Sequence, residues 1–317
     1  MRAIESVPLE IVRRAGRADP IDDRRLRKLI EAGSWTRIGP GAFTASEPWN
    51  ALRPIERHRV RVLEAARRMR PGALFSHLSA AALLDIDVLG AWPQRVEITI
   101  PAARGGRSSG LIVRHAVNSG TPETSSFGVH RVTTPAQTAL DLARILPFAR
   151  AVSILDQALW TARPGGPLAT RDEILALWDG APHRGNPRAL RAIEFANPLA
   201  ANPRESQSRV VLAQLGFPWP RLQERRVLRS GRVVFGDFYF PEHDHWGEFD
   251  GEGKYRSPEF GSTRDAAQIV IDEKNRENEI RREVRGFSRW EPADADHPRR
   301  LYDILVADGL PSALPRP

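Results

Sequence analysis

Three carboxylates stand at strand spacing in an aromatic-rich part of the chain. Asp237 lies in the segment VVFGDFYF, and Glu248 and Asp250 lie in the following segment, HWGEFDG. Both segments read as strands, and side chains two residues apart on a strand point to one face of a sheet. If the two segments form a hairpin, the three carboxylates gather in one place. This condition restricts the fold of the C-terminal region more than any other feature of the sequence.

Gathered carboxylates need a positive partner, and a divalent ion supplies one. Oxygen ligands alone favour Mg²⁺ or Mn²⁺ over Zn²⁺. The chain has 47 Lys and Arg residues, but its only lysines are Lys28, Lys254 and Lys274. Lysine is a compact charge with an adjustable pKa, so Lys254 and Lys274, which are close to the acidic segment in sequence, are candidates for catalysis or phosphate contact. Chance placement is the alternative.

Length and charge indicate two or three domains and a polyanionic partner. A chain of 317 residues exceeds the usual size of one core. The net charge is +8, and residues 1–72 hold 16 basic against 9 acidic residues, whereas residues 196–317 hold 19 against 20. A basic N-terminal region attracts nucleic acid, although an Arg-rich surface with no such role fits as well.

The absence of cysteine and of a long apolar segment bears on location. A chain without cysteine has no disulfide framework and fits a reducing compartment. The N-terminus lacks the apolar core of a signal peptide, and no stretch approaches the length of a membrane span. We therefore expect a cytoplasmic protein that does not bind a membrane.

The N-terminal region has the pattern of a winged helix. Residues 22–33 predict a short helix that ends at Gly33, and SWTRIGPGAFT predicts a hairpin that turns at Gly39–Gly41. An upstream helix would cover roughly residues 8–17. In a winged helix the basic helix enters the major groove and the hairpin touches the backbone. The predicted DNA-binding residues are Arg24, Arg25, Arg27, Lys28 and Arg37.

We predict an α+β multidomain protein with three modules. Residues 1–72 form the winged-helix-like region. Residues 73–195 form an α+β middle domain and linker, in which residues 163–190 are expected to be a connection and the histidines to be isolated and structural. Residues 196–317 form the last module. It is predicted to contain a helix at about 203–216, three strands, a long helix at about 263–285, a further strand and a closing helix.

This element order resembles the PD-(D/E)XK nuclease superfamily, and more narrowly its branch related to very-short-patch-repair endonucleases. The resemblance covers roughly residues 203–306 and depends on Glu205 in the opening helix, Asp237 in GDFYF, the string GEFDGEGKY, the helix string EKNREN, and Arg289. It implies an α/β/α domain with a mixed sheet. One position departs from the pattern: the lysine usually found two residues after the acid is here Asp250.

The resemblance implies metal-dependent phosphodiester hydrolysis. Asp237, Glu248 and Asp250 would bind Mg²⁺ or Mn²⁺, and the carboxylates of Asp237 and Glu248 should lie close enough to share one ion. Lys254 or Lys274 would stabilise the developing charge, and Arg276 is a further cation on the same helix. Glu205 would support the metal ligands from behind or bind a second metal ion, or else serve only to favour the first turn of its helix.

Residues 20–160 resemble the AbiEi-like antitoxins of type IV toxin–antitoxin systems, through strings such as LRKLIEAGSWTRIGPGAF, FSHLSAAALLDI and VTTPAQTALDLAR. Two functions follow. The first is a DNA endonuclease targeted by its own winged helix, in phage defence or mobile-element biology. The alternative is a non-catalytic DNA-binding regulator or antitoxin with a degenerate nuclease fold. An RNA-directed nuclease, a homodimer and a partner toxin stay open.

Overall fold

A computed structural model of the protein describes residues 9–14, 23–102, 108, 110–117, 120–179, 184–251 and 266–317. The chain forms two compact units. The first contains Met1–Leu159 and Pro167–Phe195, and the second contains Trp160–Gly166 and Ala196–Pro317. Helices and strands occur in both units, so the protein has a multidomain α+β fold, as predicted.

The first unit begins with a small sheet around the predicted hairpin. Its elements are β1 Val12–Arg13, α1 Asp23–Glu31, β2 Trp35–Gly39 and β3 Ala42–Ala45, and the strand order is β1-β3-β2. The upstream helix expected at residues 8–17 is wrong at Val12 and Arg13, which instead pair with β3. The backbone N–H and C=O groups of these residues need hydrogen-bond partners. The edge of β3 supplies those partners, so the segment is extended and not helical.

The rest of the first unit is a five-stranded sheet with helices. The strands follow the order β6-β5-β4-β8-β7. The elements are α2 Ser46–Ala51, α3 Pro54–Ala66, β4 Leu74–Phe75, α4 His77–Leu83, β5 Val96–Pro101, β6 Ile112–Val117, β7 Thr124–Phe127, β8 His130–Thr133, α5 Pro135–Ile145, α6 Phe148–Leu159, α7 Arg171–Asp179 and α8 Asn186–Phe195.

The start of α5 is defined by Thr134 and Pro135. The Thr134 side chain accepts a hydrogen bond from the Gln137 amide, and Pro135 occupies the first turn. The connection at residues 163–190, for which the sequence predicts one short helix, contains α7 and the start of α8, and these helices bury apolar side chains such as Ile174 and Ile193 within the first unit.

The second unit contains a four-stranded mixed sheet. Its elements are α9 Pro203–Gln214, β9 Arg221–Val227, β10 Val233–Phe240, β11 His245–Phe249, α10 Ala266–Arg281, β12 Gly286–Trp290, α11 Pro292–Ala295 and α12 Pro298–Ala307. The strand order is β12-β11-β10-β9. β9, β10 and β11 run antiparallel in turn, and β12 lies parallel to β11. This is the predicted element order, and the two carboxylate-bearing strands are central in the sheet.

The sheet of the second unit has apolar side chains on both faces. One cluster joins Phe238, Phe249 and Trp290 to Leu212 of α9 and Leu301 of α12. A second cluster holds Tyr239, Trp246 and Phe287 against Ile280 of α10. Because both clusters exclude water, the strands between them are held rigidly.

No helix in the described part of the chain combines the length and the apolar character that crossing a membrane requires.

Candidate functional site

The hairpin of β10 and β11 brings the predicted acidic residues together. Phe238 pairs with Gly247, and Tyr239 pairs with Trp246, in antiparallel register. The paired register ends there, and Asp237 and Glu248 are the next residue on each strand. Because β10 and β11 are neighbours in the sheet, the two predicted metal ligands lie on adjoining strands.

Asp237 lies where β10 changes the face that its side chains present. A Cβ atom added to Gly236 would lie 2.5 Å from Cζ2 of Trp246, on the α10 face, whereas Phe238 packs in the opposite cluster. The Asp237 carboxylate Oδ2 accepts a hydrogen bond from the Phe249 amide at 3.0 Å, and Oδ1 accepts one from Gln223 at 3.4 Å. Asp237 is therefore fixed to the strand that carries Glu248.

The Glu248 carboxylate is buried and fully engaged by donors. Its side chain is 6% exposed. Oε1 accepts a hydrogen bond from the Trp246 indole at 3.2 Å, and Oε2 accepts from Arg276 at 2.9 Å and from Arg289 at 2.8 Å. Arg289 is the residue that pairs with Glu248 in the parallel register of β11 and β12. Two guanidinium groups, from α10 and β12, therefore converge on one carboxylate oxygen.

Further carboxylates surround these arginines. Glu273 lies 2.8 Å from Arg276 and 3.4 Å from Arg289, and Glu277 lies 3.2 Å from Arg289. Burial alone would lower the pKa of both guanidinium groups. The hydrogen bond from Arg276 to Glu273 and that from Arg289 to Glu248, with the nearby negative charges, outweigh burial and raise the pKa of each.

Asp250 is at the margin of this ion-pair network. Its carboxylate lies 3.9 Å from Nη1 of Arg289, and its amide donates to the Trp290 carbonyl at 2.9 Å. Asp250 is two residues beyond Glu248, and its contact with Arg289 agrees with a position on the same face of the sheet. Glu248 and Asp250 therefore both contact Arg289.

The donor set is compatible with a hard divalent cation, although Glu248 is paired with arginines here. No group of three or more metal-ligating side chains comes together within the described ranges. Mg²⁺ commonly uses only one or two protein carboxylates together with substrate phosphates. Among the described residues, the ion pairs around Glu248 join four carboxylates to three arginines: Glu248, Asp250, Glu273 and Glu277 with Arg276, Arg281 and Arg289. Asp237 is a further carboxylate nearby in the sheet.

The other predicted catalytic residues are placed differently. The Glu205 carboxylate is buried at the start of α9, where it accepts hydrogen bonds from the Ala201 amide at 2.8 Å and the Asn202 side chain at 2.6 Å. These contacts fit the stabilising role at the first turn. Lys274 is exposed on α10, and Arg276, two residues later, is the residue that contacts Glu248. Lys254 lies outside the described residues.

The predicted DNA-binding residues are on the surface of the first unit. Leu26 of α1 is buried, and the basic residues Arg24, Arg25, Arg27 and Lys28 are exposed around it. Arg37 is exposed on β2. The short helix predicted at residues 22–33 is therefore present as α1 and has a basic exposed surface, and binding of DNA by this surface stays a prediction.

Among the described residues of the first unit, His58, His77 and His130 are buried, and His115 is half-buried. Nδ1 of His58 donates a hydrogen bond to the Pro93 carbonyl, and Nε2 accepts one from the Ser79 hydroxyl. Burial lowers the pKa of His58 to about 4. The expectation of isolated histidines is wrong for His77 and His115, whose rings stack 3.6 Å apart. The spacing of these histidines in the sequence gave no signal of this contact, because it arises where α4 packs on the sheet.

Comparison with known proteins finds relatives in one organism. The chain is 30% identical over 220 residues to the Mycobacterium tuberculosis proteins Rv2248 and MT2308, both described as uncharacterized, and the match covers 69% of this chain and 74% of each relative. No family model matches the chain. The crystal structure of the RV2827C protein from Mycobacterium tuberculosis aligns over 68% of this chain and 83% of its own, with 18% identity and a TM-score of 0.31.

Proposed function

The chain belongs to the protein family of Rv2248 and MT2308 from Mycobacterium tuberculosis, and we propose that it is a metal-dependent DNA endonuclease. In this proposal the second unit is a PD-(D/E)XK-like nuclease domain that hydrolyses phosphodiester bonds. The first unit contributes a winged-helix-like surface that binds DNA. Phage defence or mobile-element biology is the proposed setting.

One observation carries the proposal: Asp237 and Glu248 lie on the two central strands of a mixed sheet, where Asp237 accepts a hydrogen bond from the Phe249 amide, and α10 and β12 bring two arginines to Glu248. Phosphodiester cleavage requires ligands for a divalent ion and positive groups for the phosphate. Carboxylates on adjoining strands and two guanidinium groups at 2.9 and 2.8 Å from Glu248 supply both kinds of group.

Each residue has a defined task in the proposed reaction. Asp237 and Glu248 would hold Mg²⁺ or Mn²⁺, and Asp250 would position a water molecule or add a ligand. The bound ion would lower the pKa of water and neutralise charge on the phosphate. Arg276 and Arg289 would donate hydrogen bonds to the phosphate oxygens. They would thereby replace the lysine that the superfamily usually has at the position of Asp250. Lys274 and Lys254 would add positive charge near the backbone of the nucleic acid.

The basic surface of α1 and β2 supports binding through the DNA backbone. Arg24, Arg25, Arg27, Lys28 and Arg37 are exposed, and the surplus of basic residues in this part of the chain raises the local concentration of a polyanion. Binding that depends on such contacts weakens steeply as salt concentration rises.

A cleavage assay tests the proposal. Purified protein is incubated with supercoiled plasmid or linear DNA in Mg²⁺, Mn²⁺ or EDTA, beside Asp237→Ala and Glu248→Ala. We expect metal-dependent cleavage by the wild type and its loss in both variants. Cleavage that persists in either variant would refute the assigned site.

The alternative is a non-catalytic DNA-binding regulator, an antitoxin-type protein in which the nuclease-like unit has only a structural role. The observation that favours it is the pairing of Glu248 with two arginines, since buried ion pairs also occur where a carboxylate has no catalytic task. Salt-sensitive DNA binding without cleavage in any metal would support this alternative and contradict the endonuclease.

A further inference from the structure

We propose that Arg276 and Arg289, together called the arginine pair, are a charge gate that withholds Glu248 from a divalent cation until a phosphate of the nucleic acid engages them. This inference rests on the proposed function and concerns regulation of the same site. It makes metal binding and substrate binding mutually reinforcing.

The first step is competition for one atom. Oε2 of Glu248 accepts hydrogen bonds from both members of the arginine pair, at 2.9 and 2.8 Å, while Oε1 is occupied by the Trp246 indole. A cation bound at Oε2 would be next to two positive guanidinium groups in a buried setting, where charges interact strongly. The arginine pair and the metal ion therefore exclude each other at Glu248.

The second step is that the arginine pair has other partners. Arg276 keeps its contact with Glu273 at 2.8 Å, and Arg289 keeps its contact with Glu277 at 3.2 Å, if both release Glu248. Release thus leaves neither guanidinium without a counter-charge. The gate can open without breaking every ion pair of the network, which is the property that a two-state contact needs.

The third step is an unused donor. Nε of Arg289 is buried and has no hydrogen-bond acceptor among the residues that the structure describes. A buried N–H group without an acceptor is costly and rare. A phosphate oxygen is a suitable acceptor, because the planar guanidinium presents its donors in a fork that matches phosphate geometry. Arg289 therefore gains a bond by turning from Glu248 to a phosphate.

The consequence is a coupling between two ligands. If a phosphate draws the arginine pair away from Glu248, it raises the affinity of Glu248 for the metal ion, and by linkage the metal ion raises the affinity for the phosphate by the same factor. Without nucleic acid, the chain should bind a divalent ion weakly, because the arginine pair engages Glu248.

The test measures Mn²⁺ affinity of the full chain by calorimetry without nucleic acid. Arg276→Gln and Arg289→Gln should each tighten Mn²⁺ binding roughly tenfold, because each removes a competing charge. Arg281→Gln is the matched control: it also removes one positive charge from α10, but Arg281 pairs with Glu277 at 2.7 Å. Its Mn²⁺ affinity should stay at the wild-type value.

Two further variants separate the gate from damage to the fold. Arg276→Lys retains the charge and should bind Mn²⁺ close to the wild-type value. Glu248→Gln combined with Arg276→Gln should lose the gain in affinity. Circular dichroism checks folding, and added Mn²⁺ should raise the melting temperature of a folded Arg276→Gln protein more than that of the wild type.

The outcomes distinguish this inference from the proposed function. If Arg276→Gln and Arg289→Gln bind Mn²⁺ no more tightly than Arg281→Gln, or if the gain survives loss of the Glu248 charge, the gate is overturned, whether or not the wild type cleaves DNA. If affinity rises as expected but the wild type cleaves no DNA in saturating Mn²⁺, the gate is supported and the endonuclease fails.

Discussion

Glu248→Gln is the substitution whose effect on stability follows most directly from the contacts in the second unit. It keeps the shape of the side chain and removes its charge. The carboxylate is 6% exposed, and its Oε2 carries hydrogen bonds from both Arg276 and Arg289. After the substitution, two partly buried guanidinium groups lose the counter-charge that they share.

The magnitude follows from the number of bonds lost and the partners that remain. A hydrogen bond to a charged group contributes about 1.5–3 kcal/mol, and two such bonds are weakened. Glu273 still lies 2.8 Å from Arg276, and Glu277 lies 3.2 Å from Arg289, so part of the loss is offset. We expect the free energy of unfolding of the second unit to fall by about 3 kcal/mol, the lower end of the range for breaking one side of a buried pair.

Native-state hydrogen exchange measures this change within one unit. Protection of the β10 and β11 amides should fall by about a hundredfold, while α5 and α6 of the first unit should keep their protection and act as an internal reference. Glu279→Gln is the matched control on α10, since its carboxylate contacts Arg232 at 3.6 Å near the surface. An exposed pair of this kind contributes less than about 1 kcal/mol.

The reasoning would be refuted by a specific result. If Glu248→Gln and Glu279→Gln reduce protection of β10 and β11 equally, the two guanidinium groups do not depend on Glu248 for their charge balance. A loss of protection shared by both units would instead indicate that the substitution acts outside the local ion pairs.

Three further substitutions test other parts of the structure by denaturant unfolding. His58 has a pKa of about 4 in the folded state and 6.5 in the unfolded state, so between pH 6.5 and 4 the unfolded state takes up a proton that the folded state does not. About 3 kcal/mol of the free energy of unfolding should therefore be lost between pH 7 and 4. His58→Gln should remove this pH dependence, and identical pH profiles of variant and wild type would contradict the expectation. Gly236→Ala places a Cβ atom 2.5 Å from the buried Trp246 ring and should cost about 2 kcal/mol or more; an unchanged midpoint would contradict this packing. Asn202→Ala removes the side chain that accepts from two amides at the start of α9 and should cost about 1 kcal/mol, whereas no loss would show that the cap is not formed.

The order of elements in the second unit was predictable because each element leaves a local pattern. Alternating apolar residues in VVFGDFYF and HWGEF mark strands, and the spacing of Glu248 and Asp250 fixes their common face. The helix at Thr134–Pro135 was predictable for the same reason, since a cap and a first-turn proline act within a few residues.

Other features depended on parts of the chain that are distant in sequence. Val12 and Arg13 are extended because β3 offers an edge, and α7 and α8 belong to the first unit because their apolar side chains find a surface there. Neither partner is visible in the local sequence of these segments. The winged-helix pattern therefore gave the wrong result for the first segment, and local sequence gave an incomplete one for the second.

The sequence by itself determined which side chains of β10 and β11 carry negative charge and that they share a region of the sheet, because alternation along a strand is a property of the backbone. Only the tertiary structure decided that Glu248 meets Arg276 and Arg289. That meeting requires β12 to lie parallel beside β11 and α10 to cover the same face, and burial of Trp246, Phe287 and Ile280 selects this arrangement. The sequence specifies which residues of the site are charged, whereas the packing of residues far apart in the chain determines the partner of each charge.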